Sequence, residues 1–143
     1  MKKIFITGGS GTVGSIFIKN NISNYKIYSY SRNEKSQVAL KRMYPDVEII
    51  LGSVEDRHNL ENAIFKVKPD IIIHSAALKH VDSAEKQPIE MVNTNIVGSK
   101  NIIEVSKNIN VPITIGISTD KACNPNSLYG YSKLIMEKMF MEA

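Results

Sequence analysis

The chain has 143 residues, 43% of them apolar and with no low-complexity run, which is enough for one domain with a substantial core and leaves no room for a second. Its net charge of +4 is spread through segments that also carry glutamates; this excludes the clustered cations of a nucleic-acid binder and is compatible with a phosphate-bearing ligand. No apolar run reaches about eighteen residues, no signal-peptide pattern opens the chain, and a single Cys123 makes neither an internal disulfide nor, alone, a metal site, so a cytoplasmic protein with no membrane partner and no metal is expected.

The first apolar run, Lys3–Thr7, predicts a strand that leads directly into Thr7-Gly8-Gly9-Ser10-Gly11-Thr12-Val13-Gly14 and then a helix over Thr12–Asn21. Gly8 permits the tight turn, Gly11 lets backbone approach a pyrophosphate, and Gly14 lets the helix pack closely on the sheet, leaving phosphates at the helix amino terminus. Gly8, Gly11, Thr12, Val13 and Gly14 are therefore candidate dinucleotide contacts. The second strand, Lys26–Tyr30, ends without an acidic residue at its tip. An acid there would hold the ribose 2′-hydroxyl of NAD, whereas Ser31, Arg32 and Lys35 point to the 2′-phosphate of NADP.

After a helix over Glu34–Met43, the third strand, Val47–Leu51, is followed by Gly52-Ser53-Val54-Glu55-Asp56, where an adenine is expected beside Ser53 and Val54. Asp56 reads as the cap of the next helix, Asp56–Lys66, rather than as an adenine ligand. The fourth strand, Asp70–His74, opens into Ser75-Ala76-Ala77-Leu78-Lys79-His80. Ala76 and Ala77 are small where backbone would approach ribose and nicotinamide, although packing on a neighbouring helix explains them nearly as well. Lys79 is a candidate for a phosphate or a sugar hydroxyl. His80, taken alone, reads as a surface or structural residue. Asn95, inside a predicted helix over Pro88–Asn108, is expected to tie that helix to the fifth strand, Val111–Ile117.

Beyond that strand stand Asp120-Lys121, at the carboxyl end where open α/β sheets bind ligands, and a final helix, Leu128–Met141. Its Tyr129 and Lys133 lie one turn apart on one face, so the ammonium can stabilise a phenolate and lower the tyrosine pKa from about 10. A surface ion pair is the plainer reading of Asp120-Lys121. The strand runs are nearly continuous in apolar residues and alternate with amphipathic segments. That pattern predicts a three-layer αβα fold, a Rossmann-like doubly wound parallel sheet ordered 3-2-1-4-5.

With these motifs in this order, the chain resembles the extended short-chain dehydrogenase/reductase superfamily over essentially all its 143 residues. The glycine loop and Tyr129-x-x-x-Lys133 carry only the superfamily. Ala76-Ala77-Leu78-Lys79-His80-Val81 and Ser118-Thr119-Asp120-Lys121-Ala122, followed by Asn124-Pro125, are more similar to UDP-N-acetylglucosamine 4,6-dehydratases of the inverting, polysaccharide-biosynthesis type. Ser53 departs from the pattern, standing where those enzymes commonly have an aspartate near the adenine.

The resemblance implies catalytic roles for Thr119, Asp120, Lys121, Tyr129 and Lys133. It also implies cofactor contacts from Tyr129 and Lys133, and substrate contacts from Lys79, His80 and Asn124. A nucleotide-sugar substrate, NADP, a homo-oligomer at full length, and a carboxyl-terminal substrate-binding part outside residues 1–143 belong to the same expectation. Lys121 is the discriminating residue within it. A 4-epimerase or reductase of the superfamily, or a non-catalytic dinucleotide-binding module, are the competing readings.

Overall fold

The computed structural model describes residues 1–143. Five parallel strands, β1 (Lys3–Thr7), β2 (Lys26–Ser31), β3 (Glu48–Leu51), β4 (Ile71–His74) and β5 (Ile113–Gly116), form one sheet in the order β3-β2-β1-β4-β5. The helices are α1 (Thr12–Asn21), α2 (Glu34–Met43), α3 (Arg57–Val67), α4 (Val81–Lys86), α5 (Pro88–Met91), α6 (Gly98–Ile109) and α7 (Leu128–Glu142). The Rossmann-like doubly wound sheet expected from the strand pattern is thus present.

Side chains alternate across the sheet, so each central strand serves both faces. Phe5 and Ile72 join Leu60, Ile64 and Val67 of α3 and Ile102 and Val105 of α6 in one core. Ile4, Ile6 and Ile73 join Ile18 of α1 and Leu40 of α2 in the other. The register aligns the strand tips: Thr7 pairs with both Tyr30 and His74, and His74 with Gly116. Every loop that leaves these tips therefore opens on one edge of the sheet.

Local capping defines where several helices begin. Asn33 accepts from Ser36 N at 3.0 Å, and Asp56 from Asn59 N at 3.1 Å, so Asp56 caps α3 and the helix proper starts at Arg57. Ser127 accepts from Gly130 N at 3.1 Å at the start of α7.

Two expectations need correction. The expected single helix Pro88–Asn108 is broken by a π-helical stretch, Val92–Val97, whose wide turn brings both Thr94 and Asn95 into the interior. A short helix, α4, precedes it and has too few turns to leave a periodic signal. The fifth strand is shorter than Val111–Ile117: Val111 N closes the end of α6 on Ser106 O, and Pro112 has no N–H to pair.

Candidate active site

A cleft of about 460 Å³ runs along the carboxyl edge of the sheet. At its amino-terminal end Gly8 adopts φ +70, and a Cβ there would come within 2.9 Å of the Ala76 backbone, so only glycine permits this approach between the loops after β1 and β4. The loop closes by Gly8 N to Tyr30 O and Gly11 N to Gly8 O, both 2.9 Å. It delivers α1 with Gly11 as a cap that has no side chain, and no acid lies in the first turn. Free amides and the positive end of the helix dipole meet there.

The floor of the cleft rests on a buried hydrogen-bond chain. Thr7 Oγ1 accepts from Ser75 N and Ala76 N at 3.2 Å each, so its own proton goes to His74 Nδ1 at 2.8 Å. Ser99 donates to Asn95 O at 2.6 Å and hence accepts from His74 Nε2 at 3.0 Å. That order makes His74 neutral with its proton on Nε2. Burial, assisted by the Lys133 charge, pushes its pKa down to about 3. Asn95 clasps the backbone of Leu78, accepting from its N at 2.8 Å and donating to its O at 2.9 Å, and reaches Ser132 of α7 at 3.0 Å. It therefore ties the π-helical stretch to the loop after β4 and to α7, not to the fifth strand.

At the other end α7 is drawn close. Gly130 is buried, and a Cβ there would stand 2.4 Å from Lys121 O, so the turn Asp120–Ala122 lies directly against the helix that carries Tyr129. Glu85 of α4 accepts from Leu128 N at 2.9 Å, bracing the same helix start. Lys133 is buried and donates to Ile117 O at 2.6 Å. Burial pushes its pKa down to about 8, and Glu137 opposes that shift. Thr119 donates to Asp120 Oδ1 at 3.1 Å and caps the turn through Lys121 N.

Of the residues singled out in the sequence, Gly8, Gly11, Thr12 and Val13 line the cleft from the glycine loop, and Ser31, Arg32, Ser53 and Val54 from the tips of β2 and β3. Ala76, Ala77 and Lys79 line it from β4, with Thr119, Tyr129 and Lys133 at the far end. Gly14, Lys35, His80, Asp120, Lys121 and Asn124 are not in its wall. Lys35, His80, Asp120, Lys121 and Asn124 are exposed, and Asn124 holds a left-handed φ of 48.

Sequence reasoning missed Ser36, Thr94 and Ser118 among the lining residues, and Tyr30, whose hydroxyl donates to Ser53 O at 3.1 Å. Burial, then the Asp56 charge, pushes the Tyr30 pKa up to about 12, so this phenol stays protonated. Thr94 carried one faint signal, a second polar residue beside Asn95 in an otherwise helical stretch. The wall contains no carboxylate, while Arg32, Lys79 and Lys133 all contribute to it. Together with the uncapped start of α1 and the Cβ-free approach at Gly8, this fits a dinucleotide carrying several phosphates.

A family model described as polysaccharide biosynthesis protein matches residues 4–143. The chain belongs to that family. It is 42% identical to the UDP-N-acetylglucosamine 4,6-dehydratase (inverting) of Campylobacter jejuni, over 99% of this chain and 43% of that protein. It is 37% identical to the UDP-glucose 4-epimerase of Rickettsia felis, over 96% of this chain and 42% of that enzyme. The Bordetella bronchiseptica enzyme WbmG, solved in complex with NAD and UDP, superposes with a TM-score of 0.87 at 26% identity, over 99% of this chain and 50% of that one. The chain thus spans about half the length of such relatives, which include nucleotide-sugar dehydratases and epimerases.

Proposed function

We propose that the chain is the dinucleotide-binding and proton-transferring part of an NADP-dependent nucleotide-sugar 4,6-dehydratase acting on UDP-N-acetylglucosamine. The observation that carries this reading is one carboxylate-free cleft that joins the glycine loop to Thr119, Tyr129 and Lys133, with Asp120 and Lys121 on the turn packed against Gly130. In this reading the amides around Gly11 hold the pyrophosphate, Ser31 and Arg32 the 2′-phosphate, and Ser53 and Val54 the adenine. A bound nicotinamide dinucleotide supplies the reversible two-electron acceptor that the chemistry needs.

The chain's own groups handle the protons. Tyr129 takes the proton of the sugar O4 hydroxyl as C4 is oxidised to a ketone, and Lys133, one turn away, provides positive charge that favours the phenolate. The ketone acidifies the C5–H bond. Lys121 removes that proton, and Asp120 delivers one to O6 as it leaves as water. The hydride that left C4 is then returned to C6, and C5 regains a proton from one face or the other. In this reading Thr119 turns its hydroxyl proton from Asp120 to the C4 oxygen, and Lys79, His80 and Asn124 contact the nucleotide sugar.

The test is made on the polypeptide in its longest natural reading frame, incubated with UDP-N-acetylglucosamine and followed by NMR. A 4-keto-6-deoxy sugar is expected. Tyr129→Phe should lower kcat by about 10²- to 10⁴-fold, and Lys121→Met should abolish solvent deuterium entry at C5. A product that differs only in configuration at C4 would instead establish the 4-epimerase reading, which the Rickettsia felis relative favours.

A further inference from the structure

We infer that Glu55 sets how strongly the cleft prefers a 2′-phosphorylated dinucleotide, by holding a fixed negative charge against Arg32. This deepens the NADP reading above and rests on it. Arg32, at the tip of β2, is the cation in the wall beside the expected 2′-phosphate position, and its Nη1 lies 3.5 Å from Glu55 Oε1. Glu55 itself is outside the wall of the cleft.

The two partners are not equally held. Thr94 Oγ1 donates to the same Glu55 oxygen at 2.5 Å, and Thr94 is only 5% exposed in the π-helical stretch. The Glu55 backbone is tied down as well: its N donates to Ser53 Oγ at 3.2 Å, and its O accepts from Asn101 Nδ2 at 3.2 Å. The Arg32 side chain, by contrast, is 53% exposed, and Glu55 is its one polar side-chain partner. The carboxylate is therefore the anchored member, and the guanidinium the one free to reorient.

A phosphate entering beside Arg32 must draw the guanidinium off Glu55 or share it with a carboxylate, and either lowers its affinity. A plain ribose 2′-hydroxyl is uncharged and meets no such opposition. Discrimination then belongs to the Arg32–Glu55 pair, with Thr94 as the residue that keeps the charge in place. If the contact were only an exposed ion pair joining two loops, it would leave the choice between the two dinucleotides untouched.

Isothermal titration of NADP⁺ and NAD⁺ into the unmodified protein and two variants decides the matter. Glu55→Gln keeps the shape and the acceptor for Thr94 while removing the charge. It should tighten NADP⁺ about fivefold and leave NAD⁺ within about twofold, with the gain shrinking at about 0.5 M salt as the charges are screened. Thr94→Val, which frees the carboxylate, should move the ratio in the same direction by a smaller factor, and it serves if Glu55→Gln does not fold. An unchanged ratio in both variants, or weaker NADP⁺ binding in Glu55→Gln, overturns the inference and leaves the dinucleotide reading standing. A protein that binds neither nucleotide overturns both.

Discussion

The centre of the sheet and its β5 edge are built differently, although both contribute to the same cleft. Ile4, Phe5, Ile6, Ile72 and Ile73 of β1 and β4 are all buried, whereas Ile113 and Ile115 of β5 remain 46% and 44% exposed. At the centre the cleft is shaped by backbone: a left-handed glycine, amides at the start of α1, and a loop hung on Thr7 and His74. Beside β5 it is shaped by side chains on a turn and a helix, namely Thr119, Tyr129 and Lys133. The half that must not move is buried on two faces. The half carrying Tyr129 and Lys133 is braced by a few hydrogen bonds.

The largest test of this contrast is Ile72→Ala. Ile72 is fully buried among Phe5, Leu60, Ile64 and Ile102, and deleting its branches leaves a cavity that close-packed neighbours cannot fill. A loss of about 4 kcal/mol is expected, measured by urea denaturation at neutral pH. A loss below about 1 kcal/mol would show that the central core is far looser than its burial implies.

His74→Leu comes next. It leaves the buried Thr7 hydroxyl proton without an acceptor and removes the donor to Ser99, and should cost about 2 kcal/mol at pH 7. The unmodified protein should also show an acid-side signature. With the folded pKa near 3 against an ordinary 6.5, the unfolded chain binds the proton first, so stability is complete above pH 6.5 and falls below it. Between pH 7 and pH 5 the fall should be about 2 kcal/mol, and it should be missing from His74→Leu. A parallel pH profile in the variant would mean that His74 is protonated in the folded protein.

How much of this could be read beforehand follows the same divide. The strand order, the glycine loop and the cap at Asp56 were legible because each depends on local patterning: apolar runs, Gly spacing, and an acid before a helix. The π-helical stretch was not, because its cause is tertiary. Thr94 and Asn95 are drawn inward by Glu55 and by the Leu78 backbone, which lie 39 and 17 residues away in sequence. A polar residue inside a helix marks Asn95 as a tie, but its partners, the Leu78 backbone and Ser132, are set by the same long-range packing. Asp120 and Lys121 were expected at a strand end. The strand stops earlier, at Gly116, and the pair sits on an exposed turn held by Thr119 and pressed against Gly130.

Lys133 joins the two regions and gives a smaller test on the alkaline side. Its folded pKa lies near 8 against 10.5, so between those values the unfolded chain keeps a proton that the folded one releases, and stability gains with rising pH. Relative to Lys133→Met, the unmodified protein should gain about 2 kcal/mol between pH 8 and pH 10. Equal slopes would place the ammonium in water rather than on Ile117 O.

The smallest effect is the most telling for the edge. Ile115 in β5 is nearly half exposed, so Ile115→Lys in this chain can keep its stem along the sheet and its ammonium in water. The expected change is within about 0.5 kcal/mol, against about 4 for Ile72→Ala one strand away. The chain spans 43% of the length of the Campylobacter jejuni dehydratase, which makes the same substitution informative in any longer form of the protein. If it is neutral in residues 1–143 but costs more than about 2 kcal/mol in a longer form, further chain packs on β5. If it is neutral in both, the β5 edge faces solvent throughout, and the side-chain end of the cleft is held by α7 and the turn at Asp120–Ala122 alone.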